Sequence, residues 1–181
     1  MDRGRALDIL RDADLVCDQT AVQAAIDRLA HDISAVLADQ VPLVLCVMGG
    51  ALVFAGQLLP RLTFPLVFDY VHATRYDGGI RGGTLHWRVE PRQRISERVV
   101  LVLDDILDEG HTLAAIKQRL LEQGAVRVYC AVLADKDLGH SKPLTPDFVG
   151  FSVPNRYVFG FGMDVEEAWR NLPAIYALKQ G

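Results

Sequence analysis

A parallel β-sheet covered by helices on both faces is the fold this sequence predicts, and three observations predict it. Continuous apolar runs, rather than alternating ones, recur at residues 41–48, 99–103 and 126–133, as strands buried on both faces require. Stretches with apolar residues at helical spacing lie between them. Glycines and acids gather after the runs, beyond the carboxyl ends of the strands, where such sheets bind ligands.

Taken in order, the first element spans residues 20–39, with Val22, Ile26, Leu29, Ile33, Val36 and Leu37 on one helical face. Thr20 and Gln23 have the spacing of a capping box. The run 41–48 is a buried strand, broken by Gly49 and Gly50. Residues 51–59 resume as a helix that Pro60 stops. A second strand is expected at 66–71, a glycine-rich loop at 75–83 and a returning hairpin arm at 84–89. The strand 99–103 ends abruptly at Asp104 and Asp105. A helix follows from Thr112 with Leu113, Ile116, Leu120 and Leu121 on one face, and Gly124 caps it. The strand 126–133 comes next, then two short strands at 149–153 and 157–161 about a Pro-Asn turn.

Composition narrows the function. Half of the 181 residues are apolar, enough for the core of one domain with a small appended lobe. The net charge of −4 and the lack of a basic stripe argue against a nucleic-acid partner. No apolar stretch approaches the roughly 20 residues that span a bilayer, and the first 16 residues have no apolar signal core, so no membrane partner is expected. Cys17, Cys46 and Cys130 have neither metal spacing nor CxxC pairing, as expected of reduced thiols in a cytoplasmic protein.

Residues 99–113, VVLVLDDILDEGHTL, carry the strongest chemical signal. An apolar strand delivers Asp104 and Asp105 to its carboxyl end, Asp108 follows in the turn, and Gly110, His111 and Thr112 lead into a helix. Carboxylates there suit a hard cation or the hydroxyls of a sugar. The turn offers backbone N–H groups and the positive end of a helix dipole, which suit a phosphate. Capping the helix would need only one of the three acids.

This segment resembles the phosphoribosyl pyrophosphate signature of the type I phosphoribosyltransferases, through Asp104, Asp105, Ile106, Leu107, Asp108, Gly110 and Thr112. Glu109 stands where that family usually has Thr, and His111 fills its variable position. The tail from Ala134 is similar to the bacterial hypoxanthine-guanine phosphoribosyltransferases. The resemblance implies a phosphoribosyltransferase core at about 41–135, with about 1–40 and 136–181 supplying a hood and the base site of a single domain. It implies that Lys136 bonds the purine 6-oxygen, Tyr157 stacks on the base and Val158 meets its edge. It implies Mg2+ held by Asp164 with Asp104 and Asp105, and pyrophosphate held by Arg170 and the loop of Met48, Gly49 and Gly50. Met48 replaces the family's usual Lys, and a cis peptide is expected between Val47 and Met48. Arg75 and Tyr76 match the mobile lid, with Arg75 in place of Ser, and Asp108 is the implied general base.

These roles suit the residue types. Lys136 donates to a carbonyl oxygen and would meet the amino group of adenine badly. Tyr157 offers a flat face, and stacking on a base is worth about 1–3 kcal/mol. Singly, each has a plainer reading: Lys136 as a surface lysine, Tyr157 as core, and Asp164 as the start of a helix through VEEAWRNL. The expected activity is purine salvage, moving the phosphoribosyl group to N9 of hypoxanthine, guanine or xanthine, in a homodimer or homotetramer. The alternatives are a phosphoribosyl-pyrophosphate-sensing regulator of the same fold and a transferase for another base.

Overall fold

A computed structural model describes residues 1–75 and 85–179. The chain forms α1 (Arg3–Asp12), β1 (Asp14–Cys17), α2 (Gln19–Leu37), β2 (Leu43–Val47), α3 (Leu52–Leu58), β3 (Val67–Arg75) and β4 (Leu85–Val89). It continues through β5 (Val99–Leu107), α4 (His111–Glu122), β6 (Arg127–Lys136), β7 (Phe148–Val153), β8 (Val158–Phe159) and β9 (Ile175–Ala177). Six strands form the main sheet in the order β4-β3-β2-β5-β6-β7, parallel throughout except for β4. Moving from β2 to β3 and from β5 to β6 takes the chain in opposite directions across the sheet. Right-handed crossovers therefore put α3 and α4 on opposite faces.

Apolar strands produce this because a doubly covered sheet has no wet face. Leu43, Val44, Leu45 and Cys46 of β2 and Val100, Leu101, Val102 and Leu103 of β5 are all wholly buried. Each leucine so buried contributes about 1.5–3 kcal/mol relative to exposure. The helix α2 turns Val22, Ile26, Leu29, Ile33 and Leu37 inward and exposes Val36.

Several boundaries depart from the sequence reading. The helix α2 is capped by Asp18, whose carboxylate accepts from Ala21 N at 2.8 Å, and not by Thr20. Pro60 lies inside a 3₁₀ turn, Leu59–Arg61, which extends α3 where the sequence suggested a stop. Gly124 ends α4 as expected, one residue past Gln123 in a left-handed conformation (φ 88°), with Ala125 N donating to Leu120 O at 3.1 Å. This is a Schellman ending. The strand β5 does not stop at Asp104 but runs four residues past Leu103 to Leu107, so both acids lie in the ladder.

A second, three-stranded sheet, β1-β9-β8, carries α1 at its side. There Ile9, Phe159 and Val165 are buried against Trp169, Leu172 and Tyr176. Neither α1 nor β9 is apparent in the sequence, and 157–161, expected as one strand, forms the two-residue strand β8, with an isolated bridge from Gly160 to Met163. Of the first forty residues, α1 and β1 belong to this lobe, whereas α2 packs on β6, β7 and α3 of the main sheet.

Candidate active site

The site lies at the carboxyl ends of β2, β5 and β6, where a parallel sheet leaves its loops free. The loop after β2 is drawn back onto the sheet: Met48 N donates to Val71 O at 2.8 Å and Ala51 N to Val47 O at 3.2 Å. The cis peptide falls between Met48 and Gly49, one bond later than expected. Gly50 lies against Asp105 so closely that a Cβ there would collide with the carboxylate and displace it. Met48 is half-buried and packs on the core, and Gly49 is exposed.

Asp104 and Asp105 are half-buried neighbours in β5. Asp104 Oδ1 accepts from Asp105 N at 3.0 Å, and Asp105 Oδ1 from Ile106 N at 2.9 Å. Burial, with the Asp105 charge added, pushes the Asp104 carboxyl well above the usual range. Burial also raises Asp105, against lowering by its bonds to Asp104 and to the Ile106 N–H and by Arg170. None of the three acids caps α4. Its N-cap is Gly110, at φ 79° with no side-chain bond, and a helix start leaves its first N–H groups without intrahelical partners. Asp108, Glu109 and His111 beside them are exposed.

Two clefts meet here. One of about 560 Å³ is lined by Val47 to Gly50, Asp104 to Leu113, Arg170, His72 and Ala73. The other, about 190 Å³, is lined by Lys136, Tyr157, Val158, Met163 and Asp164, and shares Asp105, Ile106, Asp108 and Arg170 with the first. At their junction Lys136 Nζ donates to Asp108 Oδ2 at 2.6 Å. On the far wall Arg170 NH2 donates to Asp164 Oδ1 at 2.6 Å and Arg170 NH1 to Gly162 O at 2.6 Å. Tyr157 is 52% exposed, and its hydroxyl donates to Asp164 O at 3.1 Å. Burial first, and then the Asp164 charge, raise the pKa of that phenol.

The chain after Asp164 is not the helix that VEEAWRNL suggests. Val165 and Ala168 form an antiparallel bridge, and Glu166, Glu167 and Trp169 all have positive φ. One local and one tertiary bond outweigh the helix propensity: Asp164 Oδ2 accepts from Glu167 N at 2.9 Å, and Trp169 Nε1 donates to Ala6 O at 2.8 Å. That turn carries Arg170 back over the site.

Every expected site residue whose side chain is described lines one of the two clefts, and Arg75 ends β3. Tyr76 and the rest of the expected lid lie outside the described residues. Sequence reasoning quoted Ile106, which lines both clefts, without giving it a role, and missed Met163 in the smaller cleft and His72 and Ala73 on β3. Alternation along the end of a strand was the only signal for His72. Among the described residues no group of three or more His, Cys, Asp or Glu side chains converges as a metal cage. The carboxylates can thus supply part of a coordination sphere, as suits a hard cation that takes its other ligands from water and substrate phosphate.

A family model described as a phosphoribosyl transferase domain matches residues 13–167. A hypoxanthine-guanine-xanthine phosphoribosyltransferase of Tritrichomonas foetus is 35% identical over 164 residues, covering 90% of each chain. A hypoxanthine-guanine phosphoribosyltransferase of Lactococcus lactis is 35% identical over 139 residues, 76% of this chain and 75% of that one. Among solved structures, a hypoxanthine-guanine-xanthine phosphoribosyltransferase superposes with a TM-score of 0.85 at 31% identity, over 94% of this chain and 99% of that one.

Proposed function

The chain belongs to the phosphoribosyltransferase family, and from that premise we propose that it transfers the 5-phosphoribosyl group of phosphoribosyl pyrophosphate to N9 of a 6-oxopurine. The observation that carries the choice of base is the Lys136–Asp108 pair. It sets an ammonium donor beside a carboxylate acceptor at the junction of the clefts. A 6-oxopurine protonated at N7 presents the complement, the acceptor O6 beside the donor N7–H. Adenine presents an amino donor in place of O6 and would leave the buried part of Lys136 facing a like group.

In this reading the 5′-phosphate rests on the backbone amides from Asp108 to Thr112, with the dipole of α4 behind them. Glu109 and His111 are exposed there and leave the contact to the main chain. Asp104 and Asp105 orient the ribose hydroxyls. Arg170 and the loop of Met48, Gly49 and Gly50 neutralise the departing pyrophosphate. Mg2+ would be held by Asp104, Asp105 and Asp164, and when bound supplies positive charge to the pyrophosphate oxygens. The N9–C1′ bond forms, the bond from C1′ to pyrophosphate breaks, and Asp108 takes the N7 proton. Tyr157 and Val158 hold the base, Tyr157 by stacking and Val158 by its backbone edge. Arg75 and Tyr76 belong to a lid that excludes water from the cationic sugar. The reading extends to a cytoplasmic homodimer or homotetramer, which sedimentation tests; no described helix is long and apolar enough to cross a membrane.

The test is pyrophosphate release from phosphoribosyl pyrophosphate and Mg2+ with hypoxanthine, guanine, xanthine, adenine or uracil offered singly. Release with 6-oxopurines alone is expected, and names the preferred base. Release with adenine or uracil alone overturns the base site. No release with any base overturns the transferase reading.

A further inference from the structure

Lys142 lies in the stretch between β6 and β7, which has no regular secondary structure, yet its side chain is only 9% exposed. Its ammonium has three N–H donors, and all three are used. Nζ donates to Leu107 O at 2.8 Å, to Asp135 Oδ1 at 2.6 Å and to Lys136 O at 2.5 Å. Leu107 and Asp135 are paired across the last rung of the β5–β6 ladder. Leu107 is the residue before Asp108, and Lys136 closes β6. One buried cation thus ties together the two strand ends that carry the Lys136–Asp108 pair.

The same segment also supports the phosphate loop. A Cβ placed on Gly110 would lie 3.6 Å from both Lys142 Cβ and Pro143 Cδ, so residues 142–143 pack directly on that glycine. Asp135 also belongs to this arrangement. Its side chain is about one-third exposed, one residue from Lys136, and its negative charge is matched by Lys142.

We infer that Lys142 is a positioning residue: by tying the ends of β5 and β6 together it fixes the separation of Asp108 and Lys136. The inference rests on the proposed roles of Lys136 and Asp108. It predicts a particular kinetic pattern. Small displacements of a reacting group cost up to about 100-fold in rate. The Lys142→Met enzyme therefore has a base KM raised and a kcat lowered by about 10–100-fold, while the KM for phosphoribosyl pyrophosphate stays within about threefold. Lys142→Arg, which keeps charge and donors, recovers a substantial part of the loss.

The experiment is steady-state kinetics of the full chain with hypoxanthine or guanine. Wild type, Lys142→Met, Lys142→Arg, the double variant Asp135→Asn/Lys142→Gln and the remote core variant Ile33→Ala are compared. The double variant buries no unmatched charge and so keeps the test open if Lys142→Met does not fold. It is expected to show the raised base KM as well. Wild-type kinetics in the double variant, or losses in Lys142→Met that match Ile33→Ala for donor and base alike, overturn the inference. Wild-type enzyme without 6-oxopurine turnover overturns the underlying reading, and the inference with it.

Discussion

Asp108 is exposed, ion-paired to Lys136 and one residue beyond the last rung of β5. A carboxylate so placed can take a proton without loss of strand or helix bonds. Asp108→Asn keeps the shape and removes the basicity. Turnover should fall by about 10²–10⁴-fold, with the affinity for phosphoribosyl pyrophosphate nearly unchanged, because the phosphate is held by backbone amides. Single-turnover rates and donor titration check this; a normal rate removes Asp108 from its role. The cysteines allow a second prediction at this scale. Burial pushes the Cys46 and Cys130 thiols up to about 12. The folded protein then holds two protons that the unfolded chain gives up near pH 9. The stability they contribute is complete below pH 9 and is lost as the pH rises through about 12. Native protein at pH 8 should label at Cys17 alone, and denatured protein at all three thiols. Urea midpoints should fall from pH 9 to pH 11, and less steeply when Cys46 and Cys130 are alanine.

At the scale of elements, the sequence revealed most where burial is two-sided. The strands β2, β5 and β6 and the inward face of α2 are apolar runs with a period, and a sheet with covered faces permits few other patterns. The acids after Leu103 and the glycines after Met48 could be read because a strand end constrains the residues that come next. Elements held by a few tertiary bonds left little trace. The helix α1 buries only Ile9, β9 has three residues, and the turn bearing Arg170 is set by Trp169 bonding to Ala6, 163 residues earlier. Lys142 does not stand out in the sequence, because its three acceptors come from the ends of two strands. The cap of α2 shows the same limit at short range. Thr20 and Gln23 have capping-box spacing, but Asp18 makes the bond, so the helix begins at Gln19. Asp18→Ala should cost about 1 kcal/mol, and Thr20→Ala should lie within about 0.5 kcal/mol of wild type. Denaturant midpoints of the two variants check the order, and equal losses would return the cap to Thr20.

For the whole molecule, the site is a place where the fold gives up stability. Two adjacent half-buried carboxylates face each other's charge at the end of a sheet whose neighbouring residues are wholly apolar. Among the described residues, Arg170 and backbone N–H groups offset the charge of Asp105 in the free protein. Bound cation and phosphoribosyl pyrophosphate would supply the missing positive charge and use the sugar hydroxyls as donors. A ligand at 100 times its Kd adds about 2.7 kcal/mol to the folded state. For a chain of 181 residues that corresponds to about 5–11 °C in Tm. Asp104→Asn removes one ionisable carboxyl of the pair and keeps its volume and an acceptor for Asp105 N. The variant should melt about 2–4 °C above wild type when both are ligand-free, a gain of about 1 kcal/mol. It should also lose most of the rise that Mg2+ and phosphoribosyl pyrophosphate give the wild type. Thermal scans with and without these ligands measure both effects. A variant that melts below wild type would show Asp104 to be a structural support of β5. A variant that keeps the full ligand shift would take it out of the donor site.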